Sequence, residues 1–226
     1  MHAQSSGILP IEMPLPSDQK SIVHVVDDDA SLREALPDLF LSIGLETRTY
    51  SAAQDFLATA IPDCPGCLIV DIRLPDMNGL DFQAKLSKQG VQLPVVMITG
   101  YGDIPMSVRA MKHGAVDFLP KPFKDQDMLD AVLAAIERDR QRRAVDGDVS
   151  KMRERFGTLT AREQQVMLLV TEGKMNKQVA GDLGISEITA KIHRGAAMRK
   201  MGARTLADLV RMADLISPRP RPQVTE

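Results

Sequence analysis

Acidic, hydroxyl and amine side chains stand at the ends of short apolar runs in the first half of the sequence. In chain order these endings are Asp27, Asp28, Asp29, Asp71, Thr99 and Lys121. Charged side chains are rarely buried unless they are paired, so packing alone does not account for them. The less favoured alternative is that the acids cap helices and that Lys121 forms a surface ion pair.

This set of side chains suits phosphoryl transfer. Clustered carboxylates are the oxygen ligands that Mg²⁺ prefers in proteins. A bound magnesium ion lets a carboxylate attack a phosphoryl group despite the repulsion between their charges. Lys121 would add a second positive charge at the phosphoryl oxygens, and Thr99 would donate a hydrogen bond to them. The residues therefore predict a magnesium-dependent phosphoacceptor site.

The elements that must position these residues alternate between short strands and amphipathic helices. The predicted strands are Ile22–Val26, Glu46–Tyr50, Cys67–Val70, Val95–Ile98 and Val116–Leu119. Strands that alternate with helices form a parallel sheet with both faces covered. The functional groups of such sheets gather at the carboxyl ends of the strands. The sequence therefore predicts an α/β domain in which the polar residues meet at one edge.

Two stretches of this half are specific in combination. They are Val70-Asp71-Ile72-Arg73-Leu74-Pro75-Asp76-Met77-Asn78-Gly79 and Lys121-Pro122-Phe123. Together with the acids, they resemble the receiver domain of two-component response regulators over about residues 20–137. The resemblance implies a flavodoxin-like, doubly wound, five-stranded parallel sheet. It also implies that Asp71 accepts a phosphoryl group from a sensor histidine kinase.

The resemblance assigns further positions in the receiver. The implied metal ligands are Asp27, Asp28, Asp71 and the backbone carbonyl of Arg73. Thr99 and Lys121 match the hydroxyl and lysine positions, Phe118 matches the aromatic switch, and Asp29 is a third acid beside the metal-binding pair. The Lys121–Pro122 bond is expected to be cis, which proline makes possible. Phosphorylation of the chain is a self-modification, so turnover of a metabolite by an enzyme is not expected.

Charge is distributed unevenly along the chain. Residues 1–137 carry 10 Lys and Arg against 19 Asp and Glu, whereas residues 138–226 carry 18 against 11. A basic half that follows an acidic one predicts a polyanionic partner for the second half. A solvated basic face is the alternative.

Residues 158–216 have the pattern of four helices. Their predicted N-terminal caps are Thr160, Asn176, Ser186 and Thr205. The middle pair is a predicted helix-turn-helix, because Ala180 is small where the helices would cross and Gly184 makes the turn. The outward face of the third helix suits a major groove, and it consists of Ile188, Lys191, Ile192, Gly195 and Arg199. An ordinary small helical bundle is the alternative.

Three stretches of the second half resemble the LuxR-type domain. They are Leu159-Thr160-Ala161-Arg162-Glu163, Asn176-Lys177-Gln178-Val179-Ala180 and Gly184-Ile185-Ser186-Glu187-Ile188-Thr189-Ala190-Lys191-Ile192-His193-Arg194. The LuxR-type domain is an all-α domain of four helices. Because it follows a receiver here, the chain as a whole is similar to the NarL/FixJ family. The resemblance implies base contacts by Lys191 and Ile192. The other expected DNA-binding residues are Asn176, Lys177, Ser186, Thr189, Arg194 and Arg199.

The resemblance implies a phosphorylation-activated regulator that forms a homodimer, binds double-stranded promoter DNA and regulates transcription. Activation through RNA polymerase is the expected direction. The alternative is a receiver whose output is a regulatory contact with another protein. A basic face on the third helix favours DNA, because a protein-binding bundle does not need a cluster made of Lys191, Arg194, Arg199 and Lys200.

The predicted organisation has five parts, namely a disordered tail (1–20), the receiver (21–137), a partly helical linker (138–157), the DNA-binding domain (158–216) and a second disordered tail (217–226). Residues 138–143 have no apolar stripe and are expected to project into solvent. Asp146-Gly147-Asp148 is expected to break the helix.

Neither a membrane helix nor a signal peptide is predicted. No apolar run approaches the roughly 18 residues of a membrane span, and the N-terminus lacks the pattern of a secretion signal, so a cytoplasmic protein is expected. Cys64 and Cys67 form a lone CxxC with no second pair, which disfavours zinc. Cys67 opens an apolar strand and is expected to be a buried hydrophobe, with a redox role as the alternative.

Overall fold

The computed structural model describes residues 20–100 and 104–216, so apart from Lys20 both predicted tails lie outside the described residues. The chain divides into two compact units, with the boundary between Arg140 and Gln141. Among the described residues, no helix is both long and apolar enough to cross a membrane.

The first unit is an α/β domain, as predicted. Its strands are β1 (Ile22–Val26), β2 (Glu46–Tyr50), β3 (Gly66–Asp71), β4 (Val95–Thr99) and β5 (Asp117–Pro120). Its helices are α1 (Ala30–Leu41), α2 (Ala53–Leu57), α3 (Gly79–Lys88), α4 (Ile104–Lys112) and the first part of α5 (Asp125–Gly157). In the part of the chain that the structure describes, the five strands form one parallel sheet in the order β2-β1-β3-β4-β5. This strand order confirms the predicted doubly wound, flavodoxin-like sheet.

Both faces of the sheet are covered, because successive side chains along a strand point to opposite faces. On one face, the side chains of Val25 and Ile69 belong to a buried cluster with residues of α1 and α5. On the other face, Val26 and Val70 belong to a second cluster with residues of α2, α3 and α4. Burial on both sides explains why the three central strands, β1, β3 and β4, are almost entirely apolar in sequence.

Cys67 is buried in the first of these clusters, as predicted. Burial raises the pKa of its thiol. A thiol in apolar surroundings with a raised pKa is a poor nucleophile, so the structure disfavours a redox role for this cysteine.

Helix α5 differs from the prediction in two respects. It runs from Asp125 to Gly157 without interruption, so the expected break at residues 146–148 is wrong. A glycine inside a helix costs only about 1 kcal/mol of helix stability relative to alanine. Arg142 and Asp146 lie one turn apart on α5, and their ion pair of 2.9 Å supports the helix across this segment.

The second difference concerns the start of the predicted linker. Asp139 is fully buried, and its Oδ2 accepts a hydrogen bond of 3.1 Å from the N–H of Gly66. Arg140 donates to the hydroxyl of Ser21 at 3.0 Å. The expectation that residues 138–143 project into solvent is therefore wrong for these two residues. The first unit extends to Arg140.

Replacing Asp139 with alanine is expected to destabilise the first unit, because the N–H of Gly66 loses its acceptor. A buried polar group left unpaired costs about 1–3 kcal/mol. Both tyrosines of the chain, Tyr50 and Tyr101, lie in the first unit, and the chain has no tryptophan. Tyrosine fluorescence during urea unfolding therefore reports on this unit. Arg138→Ala, at an exposed neighbouring position, is the control, and equal midpoints for the two variants would contradict the assignment.

The second unit is helical. Residues 158–216, all of which are described, contain four helices, as predicted: α6 (Ala161–Thr171), α7 (Asn176–Leu183), α8 (Glu187–Met201) and α9 (Leu206–Ile216). One buried cluster contains Met167, Ala197 and Leu209, and Phe156 from the end of α5 packs against it. A second cluster contains Val166, Val179 and Ala190, which come from α6, α7 and α8.

Three of the four predicted caps are confirmed. The hydroxyl of Thr160 accepts a hydrogen bond from the N–H of Glu163 at 3.3 Å, and the carboxylate of Glu163 returns the contact to the N–H of Thr160 at 2.8 Å. The hydroxyl of Ser186 accepts from the N–H of Thr189 at 3.1 Å. The hydroxyl of Thr205 likewise accepts a bond of 3.1 Å from the N–H of the residue three positions later.

The predicted cap at Asn176 is wrong by one residue. Asn176 is the first residue of α7, and Met175 occupies the cap position. Met175 has no side-chain acceptor, and its own N–H donates to the side chain of Gln178 at 2.8 Å. At the other end of α7, Gly184 has a φ of 65°, which glycine adopts without strain. This residue makes the turn between α7 and α8, as predicted.

Candidate functional site

The acidic edge of the first unit follows from the pairing of its two central strands. β1 and β3 run parallel with Val26 opposite Val70, so Asp27 and Asp71 follow at neighbouring positions. Asp27 is fully buried and Asp71 is 6% exposed. Two carboxylates so close together in a dry environment repel each other unless a cation lies between them.

Lys121 supplies that cation. Its ammonium donates to Oδ2 of Asp27 at 2.6 Å and to Oδ2 of Asp71 at 2.5 Å. Burial raises the pKa of the Asp27 carboxyl, although hydrogen bonds from Lys121 and from the N–H of Asp29 lower it in part. Burial alone lowers the pKa of the Lys121 ammonium, but its bonds to the two carboxylates outweigh burial and the pKa is raised. The lysine is therefore held in its charged form.

The backbone positions Lys121 through β4 and β5. The N–H of Lys121 donates to the carbonyl of Thr99 at 2.6 Å, and Thr99 lies opposite Pro120 in the ladder. The Lys121–Pro122 bond is cis, as expected. Thr99 is fully buried at the end of β4. The structure therefore brings all the polar strand ends to one edge.

The three consecutive acids after β1 have different surroundings. Asp29 caps α1 by accepting a hydrogen bond of 2.9 Å from the N–H of Ser31, and its own N–H donates to Asp27 at 2.8 Å. Asp28 is exposed. Oxygen atoms of Asp27, Asp28 and Asp71 all lie within 4.8 Å of one another. The oxygen cluster thus includes the expected pair and leaves Asp29 to the helix.

The loop after Asp71 is tightly folded. The N–H of Arg73 donates to Oδ1 of Asp71 at 2.9 Å, and the N–H of Gly79 donates to the carbonyl of Ile72 at 2.8 Å. A Cβ atom at Gly79 would lie 2.6 Å from the carbonyl oxygen of Asp71. Only glycine therefore fits at this position without a backbone shift, and α3 begins there.

Two contacts near the site could not be assigned from the sequence. Arg33 of α1 donates to the backbone carbonyl of Asp27 at 2.7 Å. The carboxylate of Asp76 accepts from the N–H groups of Ala53 and Gln54 at the start of α2, at 3.3 and 3.0 Å. The contact of Asp76 joins residues 22 and 23 positions apart, which no spacing rule links, and the contact of Arg33 is made to a backbone carbonyl, which the sequence pattern does not single out.

Phe118 lies in β5 opposite Met97 and is partly buried against the cluster that contains residues of α3 and α4. It is therefore on the strand next to the one that carries Thr99. This placement brings the expected switch residue and the expected hydroxyl onto adjacent strands.

The second unit presents the outward face of α8 that the sequence predicts. Ile188 is 74% exposed and Ile192 is 62% exposed. Lys191 and Arg199 are exposed as well. A Cβ atom at Gly195 would meet only the tip of the Arg199 side chain, at 3.7 Å. This face is open along its length in the described structure of the unit.

Other polar residues of this unit contact one another. Arg194 is partly buried and donates to the amide oxygen of Asn176 at 3.4 Å, while Lys177 is exposed. The hydroxyls of Ser186 and Thr189 are 2.8 Å apart. The ammonium of Lys200 donates to the carboxylate of Glu163 at 2.6 Å. Lys200 therefore forms an ion pair with a residue of α6.

A phosphoacceptor-like acidic edge on a doubly wound sheet, followed by a helix-turn-helix, defines a two-component response regulator with a DNA-binding output. Residues 23–133 match the family described as "Response regulator receiver domain", and residues 157–213 match "Bacterial regulatory proteins, luxR family".

Comparison with full-length proteins agrees with this class. The chain is 54% identical to Nodulation protein W of Bradyrhizobium diazoefficiens over 87% of either chain. It is 39% identical to the transcriptional regulatory protein FixJ of Azorhizobium caulinodans over 90% of this chain and 96% of that protein. The solved structure of the response regulator StyR matches this chain with a TM-score of 0.76 and a sequence identity of 46%, and the match covers 86% of this chain and 98% of that one. The chain belongs to the NarL/FixJ family of response regulators. It is a phosphorylation-dependent, DNA-binding regulator of transcription rather than an enzyme.

Proposed function

We propose that Asp71 is the residue that accepts the phosphoryl group from a sensor histidine kinase. The observation that supports this best is the position of Lys121, whose ammonium lies within 2.6 Å of carboxylate oxygens of both Asp27 and Asp71. The side chain of Asp71 is 8% exposed against 0% for Asp27, so it is the more accessible of the two. Lys121 and Thr99 would then hold the phosphoryl oxygens.

We propose that Asp27, Asp28, Asp71 and the backbone carbonyl of Arg73 hold a magnesium ion. The cluster of carboxylate oxygens within 4.8 Å fits a hard cation with oxygen ligands. When bound, such an ion neutralises charge on the transferring phosphoryl group. The exposure of Asp28 leaves one side of the cluster open to the water that magnesium keeps.

Phosphorylation of Asp71 is expected in the presence of magnesium and a small phosphodonor such as acetyl phosphate. A phosphate-affinity gel should show a shifted band for the native chain and for Asp76→Asn, the control acid from the same loop. Asp71→Asn should give no shift, and EDTA should abolish the shift of the native chain, because the two clustered carboxylates then repel the donor. A shift in Asp71→Asn, or full modification in EDTA, would contradict the proposal.

We further propose that phosphorylation alters the face formed by α4 and β5 and promotes a homodimer there. A new dianion beside Thr99 would draw its hydroxyl inward and vacate space for Phe118. Val108 and Met111 of α4 are 45% and 48% exposed, which provides apolar surface for a partner copy.

Light scattering with the phosphate mimic beryllofluoride should therefore show twice the monomer mass. Met111→Glu should keep the mass at that of a monomer, because a charge in an apolar contact is left without water or a partner. Leu41→Glu is the control, since Leu41 is 69% exposed on α1. A monomer mass for the native chain at micromolar concentrations, with and without the mimic, would contradict the proposed dimer.

In the second unit we propose that Lys191 and Ile192 contact bases. Further DNA contacts, near phosphates or along the outward face of α8, are proposed for Asn176, Lys177, Ser186, Thr189, Arg194 and Arg199. The bound form would act on promoter DNA and, through RNA polymerase, activate transcription. Because such DNA lies in the bacterial cytoplasm, we propose that the protein works there.

Lys191→Ala should reduce discrimination between operator and scrambled DNA by about ten- to a hundredfold, because a lysine that binds guanine acceptors is worth about 1–3 kcal/mol. Lys177→Ala should weaken binding to both duplexes alike and lower the salt slope by about one unit. Titrations of both duplexes at several salt concentrations measure this with residues 150–226, which keep Phe156 and the bond from Arg155 to the carbonyl of Met201.

An equal loss on both duplexes would make Lys191 a phosphate contact. Absence of DNA binding by this fragment at low salt, even as a forced dimer, would favour the alternative in which the output is a contact with another protein.

A further inference from the structure

We infer that Ile188 reads DNA sequence, by contacting the C5-methyl group of a thymine in the major groove. This inference deepens the proposed DNA-binding function and rests on it. Ile188 is 74% exposed, the largest value among the large hydrophobic side chains of residues 20–100 and 106–216. Packing in the core of the second unit does not explain this exposure.

Neither packing nor helix formation accounts for an isoleucine at this position. The buried side of α8 consists of Ala190, Ala197 and Met201, and Ile188 is not part of either core cluster of the unit. Isoleucine is also a weaker helix former than alanine, glutamate or lysine. The N-terminus of α8 is already capped by Ser186. An exposed isoleucine in the first turn therefore contributes little to the fold of the unit.

The position of Ile188 matches the part of a recognition helix that contacts bases. It is the second residue of α8, and the N-terminal residues of such helices contact base edges. Ile192 lies one turn further along α8 on the same side. Lys191 is three residues after Ile188 and therefore also lies on this side of the helix. Lys191 and Arg199 make this face positive, which complements the phosphates of DNA rather than an apolar protein partner.

The chemistry of the side chain selects one group in the groove. An isoleucine cannot donate or accept a hydrogen bond, and the thymine methyl is the apolar group that base pairs present in the major groove. Four helical residues rise about 6 Å, whereas successive phosphates of one strand are about 3.4 Å apart along the DNA axis. Ile188 and Ile192 would therefore face positions about two base pairs apart, with the base read by Lys191 between them.

The experiment uses the full chain, activated with beryllofluoride, and duplexes that it selects from a randomised library. Each thymine of a selected duplex is replaced singly by deoxyuridine, which lacks only the C5-methyl group. One replacement is expected to weaken DNA binding by the native protein about three- to fivefold, which is the effect of losing one buried group of methyl size. The same replacement should have no effect on Ile188→Ala, whereas Ile188→Val should keep part of the sensitivity.

Leu168→Ala is the matched control, because Leu168 is 45% exposed on α6 and should leave the thymine sensitivity unchanged. The inference is overturned if deoxyuridine is tolerated at every position, or if the sensitive thymine costs the Ile188→Ala variant as much as the native chain. If neither the native chain nor any variant selects a duplex from the library, the result contradicts the proposed DNA binding and, with it, this inference. A selected duplex without the thymine effect would overturn the inference alone.

Discussion

Two carboxylates are stable side by side at the edge of the sheet because the ammonium of Lys121 contacts both of them. Removing Lys121 would leave two buried carboxylates without a compensating charge, which is strongly destabilising. The arrangement depends on two separate strand pairings. The ladder between β1 and β3 brings Asp27 next to Asp71, and the ladder between β4 and β5 positions Lys121. If Asp71 accepts a phosphoryl group as proposed, that group would become a new partner for this lysine and would change the contact that stabilises the two carboxylates.

Helix α5 contributes residues to both units. Its residue Asp139 is buried in the first unit and binds the backbone of Gly66, while Phe156, near its last turn, packs in the second unit. A polar side chain of this kind is not recognised by apolar periodicity, which is why the segment looks solvated in the sequence. The hydrogen bond to a glycine N–H provides the attachment that an apolar stripe would otherwise provide.

Four basic residues of the second unit differ in their contacts, which composition does not show. Lys200 and Arg194 contact Glu163 and Asn176 within the unit. Lys191 and Lys177 are exposed. Lys191 and Lys177 are therefore available to a polyanion without breaking a contact inside the unit, whereas Lys200 and Arg194 already have a partner there. The exposed isoleucines lie among these charges, which is the arrangement expected where sequence is read as well as phosphate.

The sequence by itself determined the order of strands and helices, the acidic edge, the helix-turn-helix and the outward face of α8, because these depend on local periodicity, turn residues and short motifs. Only the tertiary structure decided which of the three acids after β1 caps a helix, which cations are paired, and where α5 leaves the first unit. Each of these depends on atoms brought together from distant positions, such as Asp139 with Gly66 and Lys121 with Asp27. Periodicity describes one element at a time, whereas a buried charge or N–H is satisfied by whichever element the fold places beside it.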